Sequence, residues 1–141
     1  MPVALEQFDL QPDGTVMFGF MDGWQEPEYS PPTSRAWRWM SEQARLWVRP
    51  VGRDVVLTIT GESPLKYFDT APNARVTTGG TAVVQFTPSS DFTQRIVIPA
   101  AALARSGGIV TLESDQWFSP ADRGLPDKRH LALRVYAVSV E

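Results

Sequence analysis

The chain has 141 residues, 43% hydrophobic and 21% charged, with a net charge of −3, no cysteine and a single histidine, His130. This length predicts a single domain over residues 1–141, and no run approaches the ~20 apolar residues of a membrane-spanning helix. The composition excludes disulfides, thiol nucleophiles, iron–sulfur clusters and multi-histidine metal centres, and its slightly acidic balance offers no basic footprint for nucleic acid.

Residues Met1–Leu10 include Glu6 and Asp9 and have neither the basic n-region nor the apolar h-region of a secretory signal. A chain complete as given is therefore expected in the cytoplasm, and one excised from a larger protein in the cell envelope. Six acids, Glu6, Asp9, Asp13, Asp22, Glu26 and Glu28, precede Ser34 without a base, and Arg35, Arg38, Arg45, Arg49 and Arg53 then follow. Neighbouring segments of opposite charge on a small sheet are expected to pair with each other.

From Thr15 onward, apolar and polar residues alternate in short runs punctuated by Pro, Gly, Asp and Ser, which predicts an all-β chain. The runs are Thr15–Phe20, Ala36–Met40, Gln43–Arg49, Asp54–Thr60, Asn73–Thr78, Thr81–Thr87, Phe92–Ile98, Ile109–Ser114 and Leu131–Val140. These nine strands suit a two-sheet antiparallel β-sandwich of jelly-roll type. In Gln43–Arg49, Ala44, Leu46 and Val48 share one face and Arg45, Trp47 and Arg49 the other, as a half-buried strand requires. Gly79-Gly80 supplies the positive φ angles of a tight hairpin turn between two runs. Only Pro99–Ser106 resembles a helix, with Pro at its start and Gly107-Gly108 past its end. Two proline-containing stretches, Asp22–Ser34 and Asp115–Arg129, are too long for hairpins and are expected to be loops.

The order of these landmarks resembles a family of β-sandwich accessory domains, jelly-roll or galactose-binding-like, found at the C-terminal ends of bacterial membrane glycosyltransferases and related envelope proteins. Its carriers are Gly23-Trp24 followed by Glu28, then Arg38-Trp39 leading into Ala44–Val48, then Val55–Ile59 and the hairpin Arg75–Phe86. Ile96-Val97-Ile98-Pro99 and Val110–Ser114 with Phe118 and Pro120 follow, and Asp127, Arg129, Leu131 and Leu133–Val138 complete the set. The chain departs from the family in having Gly79-Gly80 at the hairpin, where Asn-Gly is frequent, and Ala132 after Leu131, where Gly is common. The resemblance implies a non-catalytic accessory or sugar-associated domain.

Glycosidic hydrolysis needs two carboxyl groups facing one cleft, about 5 Å or 6.5–9.5 Å apart. Glu26 and Glu28 have suitable spacing if Pro27 keeps them extended; otherwise Glu28 pairs with Arg38 or Arg35 and Glu26 is solvated. Asp115, Asp122 and Asp127 form an oxygen-rich stretch, although their spacing follows no calcium loop pattern. His130, the only imidazole, opens a strand, no nucleophile elbow accompanies it, and it is expected at the surface. No phosphate-cradling pattern is present, so no enzyme activity, cofactor or metal is expected. Sugar binding instead needs exposed aromatic faces bordered by amide, carboxylate or guanidinium groups. Trp24, Tyr29 and Trp117 lie in the two proline-containing stretches and are expected to be exposed, with Glu26, Asp115 and Arg123 as polar partners. Glu28, Arg38, Asp127 and Arg129 are expected to form an ion network closing one end of the sandwich. The chain thus reads as a carbohydrate-binding accessory module. Its partners are a glycan or glycosylated envelope material and a glycosyltransferase or membrane protein of the same chain or complex. The alternative is a structural β-sandwich whose aromatics dock on a partner domain or on a second copy in a homo-oligomer.

Overall fold

The computed structural model describes residues 4–141; the first three residues of the stretch read above for a leader lie outside them. Its strands are β1 (Phe18–Phe20), β2 (Glu28–Ser30), β3 (Arg35–Met40), β4 (Gln43–Val48), β5 (Val55–Glu62), β6 (Ala74–Thr78), β7 (Thr81–Phe86), β8 (Asp91–Ile98), β9 (Ile109–Ser114) and β10 (Leu133–Val140). One short helix, α1 (Ala100–Arg105), separates β8 from β9. The strands make two antiparallel five-stranded sheets, in the orders β1-β4-β9-β6-β7 and β2-β3-β10-β5-β8.

Eight of these strands pair in a nested way: β6 with β7, β5 with β8, β4 with β9 and β3 with β10. This is one long hairpin rolled up so that alternate pairs fall in opposite sheets, the wrapping of a jelly roll. β1 and β2 add an edge strand to each sheet.

Alternation explains which side chains fill the interior. In β5, Val55, Leu57, Ile59 and Gly61 are buried while Val56, Thr58, Thr60 and Glu62 are half-buried on the outer face. In β4, Ala44, Leu46 and Val48 point inward and Arg45 and Trp47 outward. They join Phe18, Phe20, Met40, Ile96, Ile98, Val110, Leu112, Leu133 and Val135 in one core, with Leu103 of α1 packed into the same cluster. Each buried side chain of this kind contributes about 1.5–3 kcal/mol.

The expected β6–β7 turn is present, with φ of 56° at Gly79 and 75° at Gly80, the two positive values that match the twist of a two-residue hairpin. A Cβ at Gly79 would also stand 2.6 Å from the carbonyl oxygen of Ala102 in α1, so the position excludes a side chain on two grounds. All nine expected strands occur, eight with small differences at their ends and the first, expected over Thr15–Phe20, shortened to Phe18–Phe20. The tenth, β2, lies within Asp22–Ser34, which is therefore not a single loop. Pro27 and Pro31 flank Glu28–Ser30 without entering it, so neither removes a donor from the pairing with Arg35–Trp37.

Strand direction gives the sandwich two unlike ends. One carries the β2–β3 and β6–β7 turns, the β4–β5 link and α1. The other gathers Ser41 and Glu42 between β3 and β4, the 63–73 and 87–90 connections, and the long link from Asp115 to Ala132 between β9 and β10.

Candidate functional site

The candidate site is built at the second end, where β9 runs out into the long link. Asp115 is fixed against the β5–β6 connection: its carboxylate accepts from the Asn73 backbone N–H at 2.9 Å and from Asn73 Nδ2 at 3.2 Å. Thr87 donates to Asn73 Oδ1 at 2.6 Å, tying in a third connection. Asn73 and Asp115 line a groove of about 280 Å³ with Arg75, Gln85 and Glu113, which stand on β6, β7 and β9. Arg75 and Glu113 form a cross-strand ion pair of 2.5 Å on its wall.

Two residues beyond Asp115, Trp117 is 40% exposed and lies flat on His130, with ring centroids 3.6 Å apart and planes 6° from parallel. The Glu42 carboxylate meets His130 Nδ1 at 2.9 Å; because an ionised carboxylate only accepts, Nδ1–H is the donor, and Nε2 has no partner among the described residues. Glu42 is itself placed by its backbone, whose carbonyl accepts from Ser114 N–H at 2.8 Å. With one face on the imidazole, the exposed surface of Trp117 lies on its other face and rim. An aromatic side chain thus held offers stacking area at little further entropy cost.

Beneath this pair the long link is anchored by Phe118, which exchanges both backbone hydrogen bonds with Leu131, at 2.9 and 2.8 Å. Its buried ring stacks on Tyr67 at 4.0 Å and meets Trp39 and Phe68 edge-on. Arg123 lies over the Tyr67 ring at 4.9 Å and donates to the Tyr67 carbonyl at 3.4 Å. Its guanidinium therefore serves the scaffold of the link.

The expected ion network forms in part. Arg129 makes a forked pair with Asp127, its Nη2 2.7 Å from Oδ2, and reaches Glu28 Oε2 at 3.5 Å, which Trp37 Nε1 also contacts at 3.2 Å. These side chains are half-exposed, not sealed in the interior. The hydrogen bonds from Arg129 hold the Asp127 carboxyl below the usual carboxylate range, and Arg45 does the same to Asp22. Arg38 is not a member. It alternates with Trp37 and Trp39 on β3 and so turns to the opposite side of the sheet. There its guanidinium lies 4.0 Å over the Phe20 ring and pairs with Asp9 at 2.7 Å and Gln7 at 2.6 Å.

Trp24 is also placed differently from the expectation. It is only 6% exposed, meets Phe20 edge-on at 5.1 Å, and donates Nε1–H to the Arg45 carbonyl at 2.9 Å. The cause is Gly23, whose φ of 88° turns the chain inward; a Cβ there would collide with the Gln43 carbonyl. Trp24 is a core residue with a satisfied donor and offers no face to a ligand. Tyr29, 62% exposed, lies on the β2 edge, and the exposed Glu26 stands just before that strand. Of the six proposed ligand residues, Asp115, Trp117 and Arg123 lie on the long link, and the Arg123 guanidinium is taken up by Tyr67.

His130, Glu42 and Asn73 complete the site without having been singled out for it. His130 stood out only as the sole histidine, and nothing in local spacing pairs it with Trp117 or Glu42. Asp115, Asp122 and Asp127 do not converge: the first serves Asn73 and the last Arg129. Among the described residues no group of three His, Asp or Glu side chains is placed to hold a metal ion.

The outer face of the β2-β3-β10-β5-β8 sheet carries a second arrangement, in which guanidinium groups and rings alternate. Arg35 lies over Tyr136 at 4.3 Å, and Arg134 lies over Trp37 at 4.4 Å and beside Tyr136 at 5.4 Å. Arg134 Nη2 donates to the Tyr136 hydroxyl at 2.9 Å, which donates to Glu62 at 3.1 Å. The pair Trp37 and Trp39 thus covers a sheet face, packed under arginine. No protein-family model matches the chain, and no curated protein matches it.

Proposed function

We propose that this domain is a non-catalytic carbohydrate-binding module, with Trp117 as its stacking platform and the Asp115 groove as the adjoining hydroxyl-binding surface. One observation carries this reading: Trp117 is exposed, yet immobilised by His130, which Glu42 holds in turn. A sugar ring stacks its C–H face on such a platform, and Asp115, Asn73, Gln85 and Nε2 of His130 supply acceptors and donors for hydroxyls. The Arg75–Glu113 pair cancels within the groove and Asp115 leaves it a negative charge, which disfavours an anionic sugar and favours a neutral one there. The jelly-roll wrapping supports the resemblance to galactose-binding-like accessory domains, and with it a place beside a glycosyltransferase or glycosylated envelope material.

The test is a glycan-array screen of the protein, followed by titration of the best neutral oligosaccharide with tryptophan fluorescence as readout. Trp117→Ala is expected to weaken binding at least tenfold with an unchanged melting temperature, since the residue is exposed. A blank array overturns the reading. The edge strand β2, with Tyr29 exposed upon it, favours a second reading in which this edge adds a strand from a partner or a second copy. Light scattering that shows a dimer lost on Tyr29→Lys supports that second reading.

A further inference from the structure

A groove of about 370 Å³ lies beside Tyr136 on the outer face of the β2-β3-β10-β5-β8 sheet, on the sheet opposite the Asp115 groove. Its volume falls within the ~300–1,000 Å³ of small-molecule sites. Two local features open it. Between Val135 and Ala137 the register of β10 against β5 shifts, leaving Tyr136 without a partner on β5. The second is Gly61 on β5, which faces inward with Val55, Leu57 and Ile59 and so lines the groove with backbone alone.

The groups around this groove are those of an acidic-sugar site. Arg35 forms one wall, its guanidinium carbon 4.3 Å from the Tyr136 ring centroid, and among the described residues that guanidinium makes no hydrogen bond or ion pair. The Tyr136 hydroxyl is engaged by Arg134 and Glu62, so the ring that supports Arg35 is itself fixed. A guanidinium stacked by its face keeps its N–H edge for a planar acceptor, and a carboxylate takes two such donors in parallel. Across the groove, Thr60 and Thr93 present hydroxyls 3.4 Å apart. Asp91, whose carboxylate has no partner among the described residues, lines the groove one pleat further along β8. Cation, paired hydroxyls and a lone acceptor together match a ring bearing both a carboxylate and several hydroxyls. Asp91 opposes a second negative charge, which disfavours phosphate.

We infer that this groove is a second binding site, specific for a hexuronate residue of an acidic polysaccharide, with the ligand carboxylate on Arg35 and its hydroxyls on Thr60, Thr93 and Asp91. The site does not depend on the Trp117 platform.

The experiment is an amide-shift NMR titration of the labelled full chain with trigalacturonate. The expected result is saturable shifts at Arg35, Thr60, Gly61, Thr93 and Tyr136. Binding is at least tenfold weaker for the methyl-esterified trimer and at least tenfold weaker in Arg35→Ala, while Trp117→Ala leaves it unchanged. Arg35→Lys keeps the charge but loses the fork, and is expected to fall between the parent and Arg35→Ala. Preserved spectra away from the groove show that the variants fold. Equal affinity for the esterified trimer overturns the acidic specificity, and comparable shifts from acetate or inorganic phosphate alone overturn the sugar assignment. Shifts confined to residues around Asp115 and Trp117 overturn the second site and leave the first reading standing.

Discussion

The two ends of the sandwich solve the same problem, closing the gap between sheets, by different means. At the α1 end the chain reverses on backbone conformation: Gly79 and Gly80 at positive φ, and a helix of six residues bracketed by Pro99 and Gly107-Gly108. At the other end, longer connections are held by side chains, with Phe118 gripped by Tyr67, Phe68 and Trp39, Asp127 by Arg129, and Asp115 by Asn73. Tight turns leave few side chains free to present chemistry. Side-chain anchoring of long links, by contrast, brings distant polar and aromatic groups into one place, and there Trp117, His130 and Glu42 meet.

The difference breaks most visibly at Phe118. Phe118→Ala removes the ring around which the long link is built and is expected to cost ~3–5 kcal/mol, read as a lower denaturant midpoint. Hydrogen exchange is expected to quicken at Phe118 and Leu131 before the β6–β7 turn is affected. At the opposite end, Gly79→Ala forces a Cβ toward the Ala102 carbonyl at an unfavourable φ, with an expected loss of ~2–3 kcal/mol. Its effect belongs to the backbone, so larger side chains there do no better than alanine.

Arg129→Ala is the mildest of the three. Half-exposed ion pairs contribute about 0.2–1 kcal/mol, so its melting temperature is expected to fall by only a few degrees. Its signature is the acid limb of stability. Because Arg129 lowers the Asp127 carboxyl in the folded state, that carboxylate contributes stability above its unfolded value of about 3.9, and the contribution is lost as pH falls through the lower folded value. The parent is therefore expected to lose stability on acidification below about pH 4, and Arg129→Ala to show a shallower loss. Equal slopes would sink the pairing.

Strand positions were legible because burial on one side leaves a period-two record, clear in Ala44, Leu46 and Val48 and in Val55, Leu57 and Ile59. The same record places Arg38 opposite Trp37 and Trp39, and following it strictly separates Arg38 from Glu28. β2 was illegible because three residues between prolines are too few to show a period. Trp24 was misplaced because a single glycine conformation, and not its proline-rich surroundings, decides where its ring goes. The stacking of Trp117 on His130 depends on the path of the intervening link, which composition does not encode locally. Asp115 and Trp117 were recognisable as candidates, whereas the groups that hold them come from elsewhere: Asn73 and Glu42 stand on other connections and His130 at the far end of the same link.

The nested pairing also governs when the fold becomes possible. The innermost pair, β6 with β7, needs only its two-residue turn to close, while β3 waits for β10, which follows the other nine strands. Since β10 lies in the middle of its sheet between β3 and β5, no smaller sandwich is complete without it. During synthesis the central hairpins are free to form early, but the interior stays open along one sheet until Leu133–Val140 has left the ribosome. The domain therefore carries unpaired strand edges until β10 has emerged, and its exposure to misassociation is greatest just before that strand appears.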